Sequence, residues 1–115
     1  MTRILVIDDD VTNAELLRVV LEDAAFEVVT AYGPAELPAG RFDCVLTDLV
    51  TMGGYNVADG RDWVLSLRDR YPAVPVLIVT ARREARDDEE RLGARVIVKP
   101  FDVDTLTEMV RELTS

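Results

Sequence analysis

Short runs of β-branched and aliphatic residues recur along this chain, and each is followed by a stretch with helical spacing. Arg3 to Asp8 carries Ile-Leu-Val-Ile with no polar alternation, and 76–79 carries Val-Leu-Ile-Val. A strand that is apolar at every position is buried on both faces, which an antiparallel sheet with one wet face does not require. Between the runs, Leu17, Val20, Leu21 and Ala24 recur at helical spacing, with Thr12 and Glu15 in capping-box register. Alternation of this kind specifies a parallel sheet with helices on both sides.

The remaining elements follow the same rhythm. Phe26 to Ala31, Phe42 to Thr47, Val74 to Val79 and Arg95 to Val98 are expected as strands two to five. The stretch 32–41 holds two Gly and two Pro, so its helix is expected to be short or irregular. A loop is expected over 48–59, and Trp63, Val64, Leu67 and Tyr71 form a helix face that stops before Pro72. The stretch 82–92 is charged almost throughout and offers only Ala85 and Leu92 to a core. A last helix carries Val103, Leu106, Val110 and Leu113, with Asp102 placed as its N-cap. Five βα units predict a single α/β domain over 1–115, a doubly wound, flavodoxin-like fold with a five-stranded parallel sheet in the order 2-1-3-4-5.

Composition excludes several chemistries. The 115 residues contain no histidine and one cysteine, so His-based triads, His-ligated zinc, disulfides and Cys-cluster metal sites are ruled out. Cys44 is expected to be buried and inert. With 13 basic against 22 acidic residues the formal charge is −9, the wrong sign for a nucleic-acid surface. No apolar run is long enough to span a bilayer, and Met1-Thr2-Arg3 enters a strand pattern without a signal-peptide core, so a cytoplasmic location is expected.

In open α/β sheets the site lies beyond the carboxyl ends of the strands, at the switch in strand order. There stand Asp8-Asp9-Asp10, Asp48, Thr80 and Lys99-Pro100. Strands one and three are neighbours in the expected order, so Asp8, Asp9 and Asp48 should converge. Carboxylates crowded in this way repel one another unless a cation sits among them, and Mg²⁺ suits a few carboxylates plus water and a phosphate oxygen. Lys99 is the only lysine among 13 basic residues, a compact ammonium suited to one phosphoryl oxygen. With Asp48 as nucleophile, a metal at Asp9, and Thr80 and Lys99 on phosphoryl oxygens, the set would form an acceptor site.

The segments Ile-Leu-Val-Ile-Asp-Asp-Asp (4–10), Phe-Asp-Cys-Val-Leu-Thr-Asp-Leu (42–49), Val-Leu-Ile-Val-Thr-Ala (76–81) and Val-Lys-Pro-Phe-Asp (98–102) resemble the motifs of bacterial two-component response-regulator receiver domains, the CheY-like family. The resemblance covers essentially the whole chain. It implies that Asp48 accepts a phosphoryl group from a phosphohistidine on a sensor histidine kinase or phosphotransfer protein, which fits a chain with no histidine of its own. It further implies that Asp9, Asp48 and the backbone carbonyl of Val50 bind Mg²⁺, with Asp8 mostly acting through water, and that the Lys99–Pro100 bond is cis. On this resemblance the chain is a signalling switch that catalyses only its own phosphorylation and dephosphorylation, with an unknown downstream protein as partner and no direct contact with nucleic acid or membrane. It stands either as a single-domain regulator or as part of a longer protein.

Each feature also has a plainer reading. Asp10 suits a helix start better than a metal, Thr80 can serve as a cap, and Trp63 and Tyr71 suit core packing. The chain departs from the family where Gly53-Gly54 follow Met52, where Asp59-Gly60 arrives late, and where Val96 stands in place of an aromatic three residues before the lysine. These departures predict an output through the long loop after Asp48. They also support an alternative, a degenerate receiver that acts as a phosphorylation-independent interaction module. Val50 and Arg82, two residues beyond Asp48 and Thr80, occupy positions that in the family tend to control water access. A small phosphohydrolase with an Asp-x-Asp nucleophile motif at 8–10, resembling the haloacid dehalogenase family, is a further reading, although the chain leaves no room for a substrate-selecting cap.

Overall fold

The computed structural model describes residues 1–49 and 55–115. Five parallel strands, β1 (Arg3–Ile7), β2 (Glu27–Ala31), β3 (Cys44–Thr47), β4 (Val76–Thr80) and β5 (Arg95–Val98), form one sheet in the order β2-β1-β3-β4-β5. The order is the expected one, and the change of direction between β1 and β3 opens the crevice where ligands bind in such sheets. Helices α1 (Val11–Asp23), α2 (Val57–Arg70), α3 (Glu84–Asp87), α4 (Glu89–Leu92) and α5 (Val103–Thr114) cover the two faces. No helix among the described residues is long and apolar enough to cross a membrane.

Both faces of the sheet are buried, as the unbroken apolar runs require. Ile4 and Val6 of β1 point into a core closed by Ala14, Leu17 and Leu21 of α1 and by Leu106 and Val110 of α5. Leu5 and Ile7, one residue out of phase, enter a second core with Val64 and Leu67 of α2, Ala85 of α3 and Leu92 of α4. Full burial of each such side chain contributes about 1.5–3 kcal/mol. Cys44 is buried on β3, where desolvation pushes its thiol up to about 12, so it stays protonated and unreactive.

Several expected details differ. The N-cap of α1 is Asp10, whose Oδ1 accepts the backbone N–H groups of Thr12 (2.9 Å) and Asn13 (3.3 Å). Thr12 therefore lies inside the helix, and Glu15 pairs with Arg18 at 3.6 Å instead of closing a capping box. The second βα unit has only a 3₁₀ turn at Pro34–Glu36, because the proline-rich stretch cannot supply a ladder of N–H donors. Helix α2 begins at Val57, within the expected loop, because Asn56 caps it by accepting from Ala58 (2.9 Å) and Asp59 (3.2 Å). Asp102 does occupy the N-cap position of α5, but its carboxylate accepts from the Thr105 hydroxyl at 3.3 Å and caps no backbone N–H.

Candidate functional site

The ladder delivers the acidic residues to one place. Ile7 and Thr47 are register partners at the ends of β1 and β3, so Asp8 and Asp48 leave adjacent strands side by side. The backbone keeps them there: Asp8 N–H donates to Ala31 O and Asp48 N–H to Ile7 O, both at 3.1 Å. On β5, Lys99 N–H donates to Thr80 O at 2.8 Å, which prolongs the β4–β5 ladder by one residue. Lys99 thus starts two strands from Asp48, about 10 Å away across the sheet. Its four-carbon stem covers that gap: Nζ lies 3.3 Å from Asp48 Oδ2 and 3.8 Å from Asp8 Oδ2. A shorter cation would not reach both carboxylates.

Asp8 is almost fully buried, and its Oδ1 accepts the Asp10 backbone N–H at 2.9 Å. Burial pushes its carboxyl above the usual carboxylate range. The Asp10 N–H and the Lys99 ammonium pull it back, while the charges of Asp48 and Asp9 push it further up. Asp48 is partly accessible, with 16% of its side chain exposed, enough for an incoming group to reach it. Its Oδ1 accepts the Leu49 N–H at 2.6 Å, which leaves Oδ2 toward the lysine.

The other candidates divide. Thr80 is buried at the end of β4, and its Oγ1 accepts the Arg82 N–H at 3.1 Å, so the hydroxyl caps the following turn while its own hydrogen stays free to donate. Asp9 is exposed beside the cluster. Val50 lies outside the described residues. Among the described residues no three acidic or cysteine side chains stand close enough to ligate one ion; the two carboxylates that converge are bridged by Lys99 instead. The donors present are nonetheless all carboxylate oxygens, with Asp9 and Asp48 accessible, which is the chemistry a hard divalent cation takes. The Lys99–Pro100 bond is cis, as expected.

Two further contacts had no signal in the sequence. The Trp63 indole N–H donates to Thr47 Oγ1 at 2.9 Å, so this half-buried residue ties α2 to the end of β3, one residue before Asp48. The Tyr55 hydroxyl donates to Asp88 Oδ2 at 2.5 Å across 33 residues. Burial and that carboxylate push the Tyr55 phenol well above its ordinary value. Val96 is buried in the core, and its N–H donates to Glu89 Oε2 at 2.7 Å.

A doubly wound sheet with two carboxylates and a lysine converging at its switch point defines an acidic α/β domain built around one partly accessible carboxylate. A family model described as the response regulator receiver domain matches residues 4–111, and the chain belongs to that family. It is similar to the transcriptional regulatory protein ZraR of Salmonella typhimurium, 33% identical over 116 residues that cover 95% of this chain and 25% of ZraR. It is also similar to protein CcdB of Bacillus subtilis, 33% identical over 116 residues that cover 96% of this chain and 95% of CcdB. The crystal structure of response regulator protein TrrA from Thermotoga maritima, in complex with Mg²⁺-BeF, matches with a TM-score of 0.79 at 30% identity, covering 98% of this chain and 99% of TrrA. The chain spans between a quarter and half of the length of ZraR and of KdpE of Escherichia coli, two of the curated relatives it matches.

Proposed function

We propose that this chain is the phosphoryl-accepting switch of a two-component or phosphorelay system, with Asp48 as acceptor. The observation that carries the reading is the placement of Lys99 Nζ, 3.3 Å from Asp48 Oδ2 and 3.8 Å from Asp8 Oδ2. Asp48 attacks the phosphorus of a partner's phosphohistidine; the new P–O bond forms as the P–N bond breaks, and the imidazole leaves. Lys99 moves from the carboxylate to a phosphoryl oxygen, and the Thr80 hydroxyl donates to another. Bound Mg²⁺ would neutralise charge on the transferred group, held by Asp9, Asp48 and the Val50 carbonyl, with Asp8 acting through water. The solved relative that carries Mg²⁺-BeF supports the same cofactor. The chain is not a metabolic enzyme on this reading; it catalyses only its own phosphorylation and dephosphorylation.

The donor histidine lies outside these 115 residues, which contain none. Beside the acceptor, Val11, Leu16 and Val103 are each at least half exposed, and a cavity of about 280 Å³ lined by Leu17, Val20 and Phe101 reaches Lys99. An apolar strip flanking the carboxylates supports docking of a kinase or phosphotransfer helix that presents its phosphohistidine there.

Intact-mass spectrometry after incubation with Mg²⁺ and acetyl phosphate tests the reading. One phosphoryl adduct is expected, absent without Mg²⁺ and absent in Asp48→Asn. The second reading, a phosphorylation-independent interaction module, is favoured by buried Val96, which has no aromatic ring to turn. No adduct from acetyl phosphate or from a phosphohistidine donor, together with a melting temperature indifferent to Mg²⁺, would overturn the acceptor reading and make the second the better one.

A further inference from the structure

Behind Asp48 stands a hydroxyl that takes no part in the carboxylate cluster. Thr47, 1% exposed, is the register partner of Ile7 on β1 and of Ile78 on β4, and its side chain enters the core beneath α2. Burying a hydroxyl there costs free energy unless it is hydrogen-bonded. Thr47 makes two bonds: its Oγ1 accepts the Trp63 indole N–H at 2.9 Å and donates to Asp48 O at 2.9 Å. Satisfying a half-buried indole would need only an acceptor. The one hydrogen of the Thr47 hydroxyl is directed instead at the backbone of Asp48.

The carbonyl of Asp48 and the N–H of Leu49 belong to one peptide group, which is planar and turns as a unit. That N–H donates to Asp48 Oδ1 at 2.6 Å. The Thr47 hydroxyl on the carbonyl side therefore fixes the direction of the N–H on the other side, and the N–H fixes Oδ1. With Oδ1 held, Oδ2 is the oxygen turned to Lys99 Nζ at 3.3 Å. The chain of contacts runs from Trp63 through Thr47 and the 48–49 peptide to the Asp48 carboxylate. Its far end is anchored in α2, where Val64 and Leu67 are fully buried.

We infer that Thr47 and Trp63 are positioning residues for phosphoryl acceptance: by holding the 48–49 peptide they select Oδ2 of Asp48 as the attacking oxygen and keep it against Lys99. The inference rests on the acceptor reading and deepens it, naming what prepares the nucleophile. Oδ2 forms the new P–O bond as the bond from phosphorus to the leaving group breaks, to imidazole nitrogen in a phosphohistidine or to the acyl oxygen in acetyl phosphate. Such a transfer needs the attacking atom in line, so a carboxylate that keeps its charge but turns about its own bond reacts more slowly. Trp63 acts only through Thr47, so its removal should add nothing once the hydroxyl is gone.

Phosphorylation of the full chain in Mg²⁺ is followed by intact mass over time, at a temperature where every variant is folded. The donor is acetyl phosphate, or a phosphohistidine protein if acetyl phosphate is refused. Thr47→Val removes the hydroxyl and keeps the shape. Its limiting rate is expected to fall about tenfold, with half-saturating donor and Mg²⁺ concentrations within about twofold of wild type. Thr47→Ser, which restores the hydroxyl, should recover most of the rate. Trp63→Phe should slow transfer about two- to threefold, and Thr47→Val/Trp63→Phe should match Thr47→Val alone. In the metal-free protein the Leu49 amide resonance should move in Thr47→Val and return in Thr47→Ser, a readout of the peptide that needs no phosphoryl donor. A wild-type chain that takes a phosphoryl group from neither donor overturns the acceptor reading and this inference with it. A phosphorylated wild type overturns the positioning role alone if Thr47→Val keeps its rate, if Thr47→Ser fails to recover it, if the double variant is additive, or if the Leu49 amide does not move.

Discussion

Lys99 Nζ and Asp48 Oδ2 meet at 3.3 Å although their strands are separated by the full width of β4. The lysine also faces Asp8, so one cation holds two carboxylates that would otherwise repel each other. Lys99→Ala should therefore destabilise the metal-free protein by about 1.5–3 kcal/mol, the range for a hydrogen bond to a charged group. Urea denaturation checks this. On the acceptor reading, added Mg²⁺ should recover part of the loss, because a bound cation replaces the missing ammonium.

Asp8 carries the opposite consequence. Burial raises its carboxyl in the folded state, so the native chain holds this proton more tightly than the unfolded chain does. Stability from this group is fully present below the unfolded value near 3.9 and is lost as pH rises through the raised folded value. At neutral pH without divalent cations, Asp8→Asn should stabilise the protein by about 1 kcal/mol, or roughly 4 °C in melting temperature. The gain should shrink as the pH is lowered and vanish below about pH 4. A gain that persists undiminished in acid would show that the charge of Asp8 is not its origin.

The placement of Asp8, Asp48 and Lys99 was legible from strand patterning because each directly follows a run too apolar to be anything but a buried strand. Parallel pairing then carries such positions to the same edge whatever the intervening helices do. Asp10 and Thr12 were harder to separate as caps of α1, since both are good cap residues two positions apart; the end of the β1 ladder decides for Asp10. Tyr55–Asp88 and Trp63–Thr47 were not legible, because a hydrogen bond across 33 or 16 residues depends on how helices sit on the sheet. No local periodicity encodes that.

The end of α1 offers a stability test that involves no functional residue. Phe26 N–H donates to Leu21 O at 3.1 Å and Ala25 N–H to Glu22 O at 3.0 Å, the paired bonds of a Schellman cap. Ala25 takes the left-handed position, at φ 71°, where glycine is usual. A Cβ in that conformation costs about 1–2 kcal/mol, offset in part by the greater freedom of glycine in the unfolded chain. Ala25 is exposed, so no packing is lost. Ala25→Gly should stabilise the protein by about 0.5–1 kcal/mol, read as a higher urea midpoint at unchanged m.

The Tyr55–Asp88 bond bears on how a signal at Asp48 leaves the domain. Tyr55 stands between Asp48 and the start of α2, and Asp88 is the junction of α3 and α4, where Arg91 Nη1 also contacts it at 3.2 Å. With Val96 buried in place of a turning aromatic, this bond is a polar contact that joins the segment following the acceptor to the α3–α4 face. Tyr55→Phe removes only the hydroxyl and should cost about 1 kcal/mol. In a double-mutant cycle with Asp88→Asn, the coupling should be of similar size. Amide exchange with and without Mg²⁺ and beryllofluoride gives the functional arm. Wild-type protein should change protection at α3 and α4 on adding the mimic, and Tyr55→Phe should lose most of that change while still binding it. An unaltered exchange response in Tyr55→Phe would mean that the signal passes through other contacts and that the tyrosine only braces the fold.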